Sequence, residues 1–190
     1  MSLLLLAVVA LAPARAEQLE FEGYLQGLPG RGGASGAGLR LGGDGRTFLA
    51  AEGRVGTGGA LDCGCASAPL EHWWSGRATA GLDVLGRSDA LDLTLGIFLG
   101  SVGSWEPVAV VADPTAGFEL GLGLNVGRLA LRYRHADGMR GPMEGWLTEN
   151  EVRLSYEVLD NLLLFGQMVR FNPGDEVPRG GYGVGAGVRF

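Results

Sequence analysis

Apolar and polar residues alternate along most of the chain with a period of two, the pattern of strands whose two faces meet unlike surroundings. In "GFELGLGLNV", Phe118, Leu120, Leu122, Leu124 and Val126 share one face, while Glu119, Gly121, Gly123 and Asn125 share the other. In "ALDLTLGIFLG", Leu91, Leu93, Leu95, Ile97 and Leu99 stand opposite Asp92, Thr94, Gly96 and Phe98. No helical period competes. The alternation predicts ten strands, at about 18–25, 37–41, 46–55, 74–85, 90–100, 115–125, 128–137, 148–158, 161–171 and 182–190.

The connections between these strands alternate in length. Short ones fall at 42–45, 86–89, 126–127 and 159–160, and long ones at 26–36, 56–73, 101–114, 138–147 and 172–181. Tight turns at one end and loops at the other describe a membrane-spanning antiparallel barrel, and an even strand count returns both ends of the chain to the turn side. The expected fold class is therefore all-β, a closed up-and-down transmembrane barrel of ten strands; eight remain if "AGLRL" and one neighbour are loop. A secreted β-sandwich alternates too, with its charged face in water. The glycine-rich polar face, the alternating connections and the ordered last strand favour the barrel.

Charge refines the polar face. It carries Glu20, Glu22, Arg40, Glu52, Arg54, Arg77, Asp83, Asp92, Glu119, Arg132, Arg134, Glu151, Arg153, Glu157, Arg170 and Arg189, eight acids and eight arginines. Such balance suits a narrow, largely plugged lumen in which the charges pair, because unpaired charges in a confined interior are costly. A two-residue turn at "VG" sets Glu119 directly opposite Arg134. Trp73, Trp74, Trp105 and Trp146 are expected to anchor the wall at the lipid and water interface.

Residues 3–12, "LLLLAVVALA", form an apolar run followed by Ala14-Arg15-Ala16, which predicts a signal peptide over 1–16 and a barrel over 17–190. No other apolar run approaches the roughly 20 residues of a membrane-spanning helix, so membrane residence must come from strands. The formal charge of −6 argues against nucleic acid as a partner, since phosphate binding needs a basic patch. All 15 basic residues are arginine.

The last stretch, "YGVGAGVRF", places Val184, Ala186, Val188 and Phe190 on one face with Tyr182, and Gly183, Gly185, Gly187 and Arg189 on the other. It resembles the C-terminal assembly signal of bacterial outer-membrane β-barrel proteins, the small OmpA/OmpX-like class. The resemblance implies recognition by the barrel-assembly machinery, residence in the outer membrane of a Gram-negative cell among lipid and lipopolysaccharide, and a monomer.

A second, narrower resemblance lies in "FELGLGLNVGRLALRYRH" and "RYRHADGMRGPMEGWLTE", which look like the region leading into the His-x-Ser-Asn motif of the lipid A 3-O-deacylase family, with its Glu on the following strand. It implies His135 as a base at the outer rim, and parity with Leu129, Leu131 and Tyr133 does put His135 on the lipid face. The nucleophile position is Asp137, the Asn position is Gly138, and no Ser lies between Ser104 and Ser155. Glu149 stands at a suitable distance along the chain, yet its parity is that of the lumen. The candidate set His135, Asp137 and Glu149 thus competes with a plain rim histidine at the headgroup level.

Cys63 and Cys65 form "CGC", with His72 seven residues on. A small disulfide ring and a metal site are the two readings, and the oxidising periplasm favours the disulfide. No cofactor or resident metal is implied. The function expected is a structural barrel or minor passive pore; the alternatives are a lipid A hydrolase at the outer rim and a loop-based adhesin or receptor.

Overall fold

The computed structural model describes residues 18–28, 32–42, 46–57, 72–85, 90–105, 110–141, 145–172 and 179–190. Among them run ten strands: β1 (Gln18–Leu28), β2 (Gly32–Gly42), β3 (Thr47–Thr57), β4 (His72–Asp83), β5 (Leu91–Trp105), β6 (Val110–Val126), β7 (Leu129–Arg140), β8 (Trp146–Leu159), β9 (Leu162–Asn172) and β10 (Arg179–Arg189). Each pairs antiparallel with its sequence neighbours, and β10 pairs with β1 to close the ring. The count is ten, and the eight-stranded alternative falls away.

Register sets the shape. Partners followed around the ring from Leu91 pass through Leu124, Leu131, Leu154, Gly166, Val184, Leu25, Ser35, Val55 and Trp74. They return to β5 at Gly103, twelve residues beyond the start. With ten strands that stagger tilts each strand by about 40° and gives a backbone radius of roughly 10 Å. Side chains alone can fill an interior of this width.

The outer wall is apolar. Phe21, Leu25, Leu95, Ile97, Leu99, Phe118, Leu122, Leu131, Leu154, Val184 and Phe190 all project outward and exposed, whereas Arg54, Glu149, Glu151, Arg153 and Gln167 are buried inside. An apolar exterior around a polar interior is the inverse of a soluble barrel and matches a hydrocarbon solvent. Every strand hydrogen bond is made within the ring, which that solvent demands.

Strands run further than the alternation predicts. Connection 26–36 shrinks to 29–31, 101–114 to 106–109 and 172–181 to 173–178, while 56–73 shortens only to 58–71 and stays the longest between the strands. In β2, "GGASGAGLRLG", glycine, alanine and serine give no apolar contrast, so the pairing continues where the pattern is silent. The β6–β7 turn is Gly127-Arg128, with Gly127 at a φ of +60° that favours glycine. Val126 therefore pairs with Leu129, and the register moves two residues from the expected one. Glu119 faces Ala136 and Arg134 faces Gly121, so the predicted Glu119–Arg134 pair is diagonal on the lumen face.

Many lumen glycines lie beneath aromatic rings of the next strand. Tyr24 covers Gly36, Trp73 covers Gly56, Phe48 covers Gly81 and Phe165 covers Gly185, each leaving no space for a Cβ.

Candidate functional site

Two arrangements of polar side chains stand out, one inside the barrel and one on its outer wall. Inside, β3 supplies Glu52 and Arg54, β4 supplies Arg77, β7 supplies Arg134, and β8 supplies Glu149 and Glu151. Arg54 reaches Glu52 and Glu149 at 2.7 Å. Arg77 reaches Glu52 at 2.7 Å. Arg134 meets Glu149 and Glu151 at 2.6 Å and Glu52 at 3.0 Å. The Tyr24 hydroxyl donates to Glu52 at 2.9 Å. Strands β3 and β8 are five apart in a ring of ten, so the Arg54–Glu149 bond spans the lumen across its full width.

Toward the end that carries Leu19 and Phe190, Arg153 pairs with Glu22 and, at 2.9 Å, with Glu151. Arg189 and Arg132 approach Glu20 at 3.5 and 3.9 Å. A cavity of about 160 Å³ opens on this side, lined by Glu20, Arg40, Asp83, Asp92, Glu119 and Arg132 among others. Toward the loop end, Phe98, Ala136, Leu147, Val102 and Phe171 form an apolar cluster over the ion pairs. Side-chain exposure falls from 34% at Arg189 and 33% at Arg132 to 7% at Arg54 and 6% at Glu149. Exposure is thus lowest in the middle ion-pair layer, and it rises again to 18–19% at Asp113 and Arg140 nearer the loops.

Sequence parity misplaced one member of this interior set. Arg170 is exposed on the outer face with Met168, opposite Asn150, while Phe165, Gln167 and Val169 point inward. Both faces of β9 are apolar, so nothing in the sequence anchored its parity. Glu149 lies in the lumen, the side its parity indicated; Tyr24 and the Asp113–Arg140 pair (2.8 Å) join it without having been named for it, and parity with Glu22, Glu119 and Arg134 was the available signal.

On the outer wall, His135 and Asp137 of β7 face Asn150 and Thr148 of β8. His135 Nε2 lies 3.0 Å from Asp137 Oδ2, and Nδ1 lies 2.9 Å from Asn150 Oδ1. Thr148 Oγ1 donates to the other Asp137 oxygen at 2.7 Å, and Tyr133 donates to Asn150 at 2.7 Å. An imidazolium satisfies both ring contacts as a donor, whereas the neutral ring satisfies one. The proposed catalytic set is divided by this geometry: Glu149 points into the lumen, bonded to Arg54 and Arg134, and Asn150 occupies the place beside His135.

The tryptophans divide as well. Trp73 and Trp74 are consecutive in β4, and neighbours in a strand point to opposite faces. Trp73 lies over Gly56 inside the barrel, which corrects its assignment to the interface, while Trp74 shares the outward row of Val55. Trp146 is exposed on the outer wall beside Met139. The side chain of Trp105, together with Cys63, Cys65 and residues 1–17, lies outside the described residues. Tyr182, Val184, Ala186 and Phe190 project outward, Val188 shares their row, and the interleaved Gly183, Gly185 and Gly187 line the lumen.

No family model matches the sequence, and no curated protein matches it. Among solved structures, the N-terminal β-barrel domain of OprF from Pseudomonas aeruginosa is similar at 12% identity, covering 91% of this chain and 97% of that one with a TM-score of 0.41. The attachment invasion locus protein Ail of Yersinia pestis gives the same figures. The KdgM porin in complex with disordered oligogalacturonate is 11% identical over 91% of this chain and 99% of that one, with a TM-score of 0.45. At such values the likeness concerns architecture and brings no ligand or activity. The chain's own pairing and wall make it a closed, ten-stranded, outer-membrane-type β-barrel.

Proposed function

We propose that this chain is a structural barrel of the bacterial outer membrane whose lumen is plugged, with loops outward and both chain ends toward the periplasm. The observation that carries this reading is the Arg54–Glu149 bond between opposite walls, reinforced by Arg134 on three carboxylates and covered by the Phe98 cluster. A charged layer so closely paired leaves ions no exchangeable partner, because a passing cation or anion must displace a guanidinium–carboxylate contact in a poorly hydrated space. Export by a cleaved signal peptide, delivery to the barrel-assembly machinery through the Tyr182 to Phe190 strand, and a monomeric state complete the proposal.

The test is conductance of the purified barrel in planar bilayers. A closed lumen gives no resolved channel steps; steady openings of nanosiemens size would overturn the plug. The hydrolase alternative finds less support, since both ring nitrogens of His135 are engaged and the nearest hydroxyls, of Thr148 and Tyr133, donate to Asp137 and Asn150. The adhesin alternative retains 58–71 as its one extended connection among those between the strands.

A further inference from the structure

The outward polar network lies at a depth where most of the rest of the wall is apolar. With about 2.5 Å of rise per residue along the barrel axis and about 3 Å per strand around it, His135, Asn150, Asp137, Arg170 and Thr148 stand roughly 16–24 Å above the level of Leu91 and Phe190. The apolar band of such a barrel is about 25 Å tall, so these residues occupy its upper third, toward the loop end. At the same depth on other strands the wall presents Leu99, Phe118, Leu25 and Tyr182, all exposed. Met139 and Trp146 stand higher still on the same two strands, so the network is set into the band and does not merely top it.

Polar groups in contact with hydrocarbon are costly unless they meet a polar partner. The four hydrogen bonds of the network hold His135, Asp137, Thr148, Asn150 and Tyr133 in fixed positions, but they leave its outer side facing lipid. Arg170 adds a guanidinium on the adjoining strand, at the register position of Asn150. Below the network, Leu122, Leu131, Leu154 and Met168 are exposed and apolar. A polar seat with a cation at its edge and an apolar track leading away from it has the two-part character of a lipid.

We infer that β7, β8 and β9 form a binding seat for the phosphate-bearing headgroup of an outer-leaflet lipid, with the Arg170 guanidinium on the phosphate, the His135–Asn150 network beside it and the acyl chains along Leu122, Leu131 and Leu154. Guanidinium matches phosphate with two parallel hydrogen bonds, and imidazolium adds charge. Asp137 and Asn150 hold the ring of His135 in place through its two nitrogens. This inference rests on the membrane-barrel reading above.

The experiment uses the refolded chain in detergent micelles, with native mass spectrometry counting retained lipid as phosphatidylglycerol or phosphate-free diacylglycerol is added. Wild type is expected to retain one phosphatidylglycerol and to discriminate against diacylglycerol. Arg170→Gln is expected to weaken retention at least tenfold, the scale of one hydrogen bond to a charged group; His135→Gln is expected to weaken it less, because it removes a charge near the phosphate and no hydrogen bond to it, and Arg46→Gln, near the opposite end, leaves it unchanged. Equal retention of both lipids, or of one lipid by all variants, would overturn the seat. Displacement of the lipid by millimolar inorganic phosphate would make it a free-anion site and overturn the lipid assignment. Failure of the wild type to fold into lipid vesicles, read by its heat-dependent gel migration, would sink the membrane reading itself and not the seat alone.

Discussion

Replacing Arg134 with Met removes the guanidinium that holds three carboxylates while keeping an aliphatic stem of similar length. The three contacts measure 2.6, 2.6 and 3.0 Å. Each hydrogen bond to a charged group contributes about 1.5–3 kcal/mol, so the gross loss is roughly 4.5–9 kcal/mol. Part of that is offset, because the guanidinium no longer has to leave water, and broken buried pairs cost about 3–5 kcal/mol net. The remaining imbalance is plain: Arg54, Arg77 and Arg153, the last shared with Glu22, are left to neutralise Glu52, Glu149 and Glu151 across the same space. Urea unfolding of the barrel from lipid vesicles, followed by tryptophan emission with the transition checked for two-state behaviour, reads the difference. The expected drop is about 3–5 kcal/mol. Adding Glu151→Gln to Arg134→Met should recover part of it, with a coupling of about 0.5–3 kcal/mol, since one carboxylate fewer then shares the remaining guanidinium groups. A single variant within about 1 kcal/mol of wild type, or a double variant no better than the single, would refute the idea that these ion pairs lock the lumen.

Two further expectations follow from the faces of the strands. In single-tryptophan variants, brominated acyl chains should quench Trp74 and spare Trp73; equal quenching would contradict the alternation in β4. Gly185→Val should destabilise the barrel by about 1–3 kcal/mol, because the new side chain meets the Phe165 ring and the Gly23 carbonyl, while Gly53→Val, which meets open space, should change stability by less than about 0.5 kcal/mol. Vesicle unfolding of the two variants side by side checks this pair, and a similar loss in both would remove the packing account.

The sequence made the fold legible wherever one face is strongly apolar and the other is not. In β5 and β6 leucine alternates with glycine and acid, and the faces follow directly. In β9, "LLLFGQMVRFN", leucines stand on both faces because the lumen itself turns apolar there, and Arg170 was assigned inward for want of contrast. The interior charge set was legible as a set, since parity groups it, but its partners were not: the two-residue shift at Gly127-Arg128 decides who faces whom, and turn geometry is weakly encoded in two residues. The outer network was half visible. His135 and Asp137 share parity on one strand, whereas Asn150 and Thr148 become their neighbours only through the β7–β8 register, which requires knowing how far both strands run before they turn.

The pairing of β1 with β10 carries a kinetic consequence. Leu19 and Phe190 exchange backbone hydrogen bonds in both directions, at 3.0 and 2.8 Å. Every other pairing in the ring joins strands adjacent in the chain, so hairpins can zip one after another with short closures. The seam must bring together segments separated by almost the whole chain, and its loop-closure cost is the largest in the molecule. Closure is therefore the last event, and before it two unpaired edges face the membrane at once. The slow step of insertion should be the joining of that seam, and a rate measured on any interior hairpin will overestimate how fast the barrel becomes whole.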